Sequence, residues 1–76
     1  MRTIKLFYQG EIHAIRSNHM DHKSTEEVVA WEGRRMVEDN ELPNKNYQYT
    51  CLVDDAQLYN FHSINEHSYK CWKQER

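Results

Sequence analysis

The chain has little of what breaks or staples a small protein. Its 76 residues include two glycines, Gly10 and Gly33, one proline, Pro43, and two cysteines, Cys51 and Cys71. So little glycine and proline excludes collagen-like and low-complexity chains. Two cysteines twenty positions apart are not the disulfide framework of a small secreted domain. No stretch approaches the roughly 20 apolar residues of a membrane span. Met1-Arg2-Thr3-Ile4-Lys5 has no apolar run behind it of the kind a signal peptide carries. Asn-x-Ser/Thr sequons are lacking too. The expectation is a cytoplasmic protein with reduced thiols and no membrane contact. Phosphate loops, dinucleotide fingerprints and a set-off carboxylate pair are all missing, so no cofactor is expected.

Aromatic residues are plentiful: five tyrosines, two tryptophans and two phenylalanines. Disordered chains are poor in such residues, so a folded domain is expected. One domain is all this length allows. A chain this short buries only about 60% of its unfolded surface. Its core holds about ten large side chains, each contributing roughly 1.5–3 kcal/mol. A deep reaction pocket would consume much of that core, which argues against an enzyme.

The net charge of −2 is unevenly spread. Residues 1–23 carry +2, residues 24–66 carry −6 and residues 67–76 carry +2. The acidic middle disfavours general nucleic-acid binding, which needs a basic face. It suits a basic protein partner, or simply solubility.

Periodicity sets the expected elements. Residues 3–8 and 11–16 flank Gln9-Gly10 as a β-hairpin. A three-residue loop, Gln9 to Glu11, would gather Ile4, Leu6, Tyr8, Ile12 and Ala14 on one face, so that register is expected. Ser24-Thr25-Glu26-Glu27 reads as a capping box opening a helix from about Thr25 to Asn40, ahead of Pro43. Val29, Ala30, Gly33, Met36 and Val37 fall on one arc of that helix and face the core. Gly33 costs about 1 kcal/mol in a helix interior, which close approach to a sheet would offset. Tyr47 to Val53 alternates as a strand, with Tyr47, Tyr49, Cys51 and Val53 on one face, ended by Asp54-Asp55. Residues 56–73 fit two patterns. Leu58, Phe61, Ile64, Tyr69 and Trp72 match a helical period, but composition and the alternation of Tyr69 to Lys73 favour two strands turning at residues 65–67. The expected fold class is α+β: a small antiparallel sheet of four or five strands with one main helix packed on one face, ββα and then β-rich.

Trp31 falls off the apolar stripe, among Glu27, Arg34, Arg35 and Glu38, with Val28 alongside. A large aromatic with arginines on an exposed helical face has the composition of an interface hot spot. The competing reading has the indole covering the core's flank or sandwiched by arginine stems. The candidate partner-binding set is Glu27, Trp31, Arg34, Arg35, Glu38 and Asp39, with Asp39, Glu41, Asp54 and Asp55 steering a cellular protein. A monomer or a homodimer is expected.

Three rival chemistries have weaker support. Tyr69, Lys70, Trp72 and Lys73, running on to Arg76, interleave rings with charge and could stack single-stranded nucleic acid. Cys51, His62, His67 and Cys71 offer a zinc-type ligand set, but not with the spacing of the common fingers. His19-Met20-Asp21-His22 could hold a metal loosely, with a polar turn as the plainer account. Nucleophilic catalysis by Cys51 or Cys71 would need an oriented base, and no spacing selects one.

In overall organisation the chain resembles small proteins encoded by bacteriophages and prophages: short and acidic, with a hairpin, one capped helix, a second β region and surplus aromatics. That resemblance implies stoichiometric binding that blocks a host enzyme or defence complex. It transfers no residue roles.

Overall fold

A computed structural model describes residues 1–75. Arg76, the end of the basic C-terminal segment, lies outside the described residues. The element order is β1 (Arg2–Tyr8), β2 (Glu11–Asn18), α1 (Thr25–Asp39), β3 (Tyr47–Val53), β4 (Gln57–Asn65) and β5 (Ser68–Lys73). The strands form one antiparallel sheet in the order β2-β1-β3-β4-β5, and α1 crosses one face of it. The α+β class is therefore as the pattern indicates. Residues 57–73 are two strands, so the helical period there is coincidental: Phe61 and Tyr69 face α1, whereas Leu58 and Trp72 face away.

The first hairpin corrects the expected register. Its turn has two residues, Tyr8 pairing with Glu11, and both Gln9 (φ 52°) and Gly10 (φ 81°) have the positive φ that primed turns demand. A bulge follows: Leu6 pairs with Ala14 but Phe7 with Ile12, leaving His13 as the extra residue. Ala14 thus joins Ile4 and Leu6 in the core, while Ile12 turns to the opposite face with Phe7. The β3–β4 turn also places two non-glycine residues at positive φ, Asp54 (52°) and Asp55 (55°), closed by Ala56 N–H donating to Val53 C=O at 3.0 Å.

Ser24 caps α1 by accepting from Glu27 N–H at 3.2 Å. The Glu27 carboxylate does not close the box; it lies 3.9 Å from Lys23 Nζ. At the other end Leu42 N–H donates to Val37 C=O and Glu41 N–H to Glu38 C=O, a Schellman motif with Glu41 at φ 53°. The connection onward is pinned by Tyr49 O–H donating to Pro43 C=O and by Ser63 O–H donating to Asn44 C=O at 3.0 Å.

The buried helix face comprises Val28, Val29, Glu32, Gly33, Met36 and Val37. It is rotated from the expected stripe: Val28 is in the core and Ala30 only half-buried. The reason is the breadth of the sheet, because α1 also packs over β2. Gly33 meets the ring of Phe61, the close approach its presence predicts.

Candidate functional site

The chain's first residues build the floor beneath Trp31. Arg2 Nη1 donates to Met20 C=O at 3.1 Å and Nη2 to Lys23 C=O at 2.9 Å, while the N-terminal ammonium meets Asp21 Oδ1 at 2.9 Å. These bonds draw the β2–α1 loop onto β1. Met20 is thereby packed against the core, and Asp21 is held by the terminus, which pulls its carboxyl below the usual range. Met20 and Asp21 are thus committed to internal contacts, and among the described residues His19, Asp21 and His22 are not gathered as a chelate.

Met20 and Val28 floor a shallow groove along the start of α1, flanked by Lys23 and Glu27 and ended by Trp31. Trp31 is 49% exposed, and the Arg35 guanidinium lies over it, 5.8 Å from the ring centre. The indole therefore neither seals the core nor sits between two arginine stems. Arg34 turns the other way. It donates to Glu38 Oε1 at 3.0 Å and lies 5.8 Å from the Tyr69 ring centre, and Glu38 first and Tyr69 second hold its charge more firmly than usual. Asp39 accepts from Arg16 Nη2 at 3.1 Å, towards β2. Five of the six candidate residues therefore divide into a Trp31–Arg35–Glu27 cluster and an Arg34–Glu38 pair beside Tyr69, and the sixth, Asp39, stands apart on Arg16. Asp54 and Asp55 are elsewhere: Asp54 accepts from Thr3 N–H and Asp55 pairs with Lys5. Glu41 lies past the other end of α1.

The remaining candidate sets are dispersed by strand alternation. Tyr69 and Lys73 are on the α1 side of β5, and Lys70 and Trp72 on the other, so the four do not form one stacking platform. Cys51 and Cys71 face α1, whereas His62 pairs across from Gln48 on the far face and His67 is in the β4–β5 turn. Among the described residues no group of three or more His, Cys, Asp or Glu is placed to hold a metal. Burial pushes both thiols up, Cys51 to about 12 and Cys71 to about 12, so neither is a thiolate at neutral pH. The concavity between α1 and the β4–β5 hairpin, lined by Arg34, Phe61 and Tyr69, encloses about 10 Å³, the room of a single water.

Two features escaped sequence reasoning. Glu32 is only 6% exposed, facing the sheet with Arg35 Nε 4.0 Å away. The face of the sheet opposite α1 carries several large apolar side chains; the signal is Ile12, Ile15, Leu58 and Trp72, once the bulge is known.

The chain matches no protein-family model, no curated protein and no solved structure. No helix is long and apolar enough to cross a membrane.

Proposed function

We propose that the protein is a non-enzymatic, stoichiometric binder of another protein, contacting it through the Trp31 side of α1. The observation that supports this reading is the half-exposed indole at the end of an apolar groove, ringed by Lys23, Glu27 and Arg35. A rigid aromatic anchor beside apolar floor and surrounded by charge is how binding energy concentrates in interfaces. The raised thiols favour the same reading, since a nucleophile needs the opposite shift. Likeness in organisation to phage and prophage proteins suggests the biological setting: occlusion of a site on a host protein, with the acidic middle of the chain attracting a basic target.

Affinity capture from the native host supplies the partner, and titration calorimetry tests the surface. Trp31→Ala leaves the melting temperature near that of the unmodified protein and weakens binding by about 2 kcal/mol, roughly thirtyfold in Kd. Unchanged affinity, or loss of the fold, overturns the assignment.

A further inference from the structure

Four of the most exposed large hydrophobic residues share one surface. Ile12, Ile15, Leu58 and Trp72 are 48%, 52%, 39% and 39% exposed, and all lie on the sheet face turned away from α1. Half-buried Phe7 and Leu52 fill the space between them. The strand register sets them in two adjacent rows. One runs Ile12, Phe7, Thr50, Asn60, Trp72 across all five strands. The next runs Ile15, Lys5, Leu52, Leu58. Six large apolar side chains gathered on one face, interrupted by Lys5, Thr50 and Asn60, mark an interaction surface, unlike scattered single residues. Lys5 is the one charged side chain in these rows, and Asp55 neutralises it.

We infer that this face is covered by a second copy of the chain, sheet against sheet. Area is the first argument. Five strands about 4.8 Å apart, each about seven residues long at about 3.3 Å, give a face of roughly 550 Å² in plan. Two copies bury roughly 1,100 Å² before side-chain relief is counted, which clears the roughly 1,000 Å² a specific interface requires. Charge is the second. The two rows present no net charge to one another, so like meets like without repulsion; nucleic acid would need a cluster of cations there, and beyond the paired Lys5 the face carries Lys70 alone, on its β5 edge. Symmetry is the third. A two-fold axis along the strands, passing over β3, lays β5 of each copy on β2 of the other. Trp72 then covers the Ile12 end of the opposite row, and the central strands stack. Such a contact uses the same patch twice and closes at two chains. Both α1 helices stay outward, with Trp31 free on each.

Sedimentation equilibrium between about 1 and 100 μM tests this, a range that brackets a micromolar Kd. The expected mass at the upper end is twice the 9.3 kDa of one chain. Leu58→Lys and Ile12→Lys, both at exposed positions, raise the dissociation constant at least tenfold while circular dichroism stays unchanged, and Trp31→Ala leaves it unaltered. A second readout needs no change to the face. In Trp31→Phe the remaining indole, Trp72, shifts its emission to longer wavelength as dilution separates the copies. A single-chain mass at the highest concentration, a Leu58→Lys protein as dimeric as the parent, or Trp72 emission indifferent to dilution would each overturn the inference.

Discussion

Gly33 lies flat against the ring of Phe61: a β-carbon added to it would stand 2.8 Å from Cδ2 and 2.9 Å from Cε2. The helix can descend this far onto β4 only because position 33 has no side chain. Alanine would gain about 1 kcal/mol of helix propensity, but overpacking costs about 1–3 kcal/mol. Gly33→Ala is therefore expected to destabilise the domain by up to about 2 kcal/mol, read as a lower urea midpoint with unchanged m-value. Combining it with Phe61→Leu should recover part of that loss, so the two changes are non-additive.

Glu41 holds the left-handed position that ends α1, at φ 53°, with its N–H donating to Glu38 C=O. A side chain there is strained where glycine is not. Glu41→Gly is expected to stabilise the protein by about 0.5–1 kcal/mol. Thermal melting checks it; a lower melting temperature would mean that the Glu41 side chain supports the turn in some other way.

The thiols should be silent. A rise from the ordinary 9.0 to about 12 lowers the thiolate population of Cys51 roughly a thousandfold at pH 8. Cys71 behaves alike, from burial first and the nearby Glu26 second. Alkylation of the native protein by iodoacetamide is expected to be at least a hundredfold slower than of the urea-unfolded chain. The sign for stability follows from the unfolded chain losing these protons first. Stability is full below pH 9 and declines as the pH rises from 9 towards about 12. A denaturation series above pH 8 measures the slope.

The Asp21 carboxyl is depressed, mainly by the hydrogen bond from the terminal ammonium and next by its charge. A depressed carboxyl supports the fold above its unfolded value of 3.8 and ceases to as the pH falls through the lower folded value. Carbon-detected NMR titration should place its midpoint below 3.8, and acetylating the N-terminus should return it towards that value.

Much of the architecture can be read from residue pattern because one face of each element is buried. Tyr47, Tyr49, Cys51 and Val53 alternate into the core as expected, and Ser24 caps where its spacing from Glu27 requires. The hairpin register is different. An inserted residue such as His13 has no compositional mark, yet it moves Ile12 to the other side of the sheet. Pattern reasoning therefore assigned Ile12 to the core and missed the apolar outer face. The burial of Glu32 is invisible to pattern for a related reason: polarity implies exposure, but the width of the sheet beneath α1 buries it. The exposure of Trp31 was legible from its angle off the apolar stripe. The split of Tyr69 and Lys73 from Lys70 and Trp72 follows from strand alternation once β5 is known to be a strand.

The extra residue at His13 has a further consequence for a chain whose sheet ends in an open strand. Beyond the bulge, β2 offers its backbone donors and acceptors out of step, so a foreign strand aligned on one half is misaligned on the other. Growth by lateral strand addition is arrested there. At the other edge of the sheet β5 carries Lys70 and Lys73, the charges that discourage strand pairing on that side.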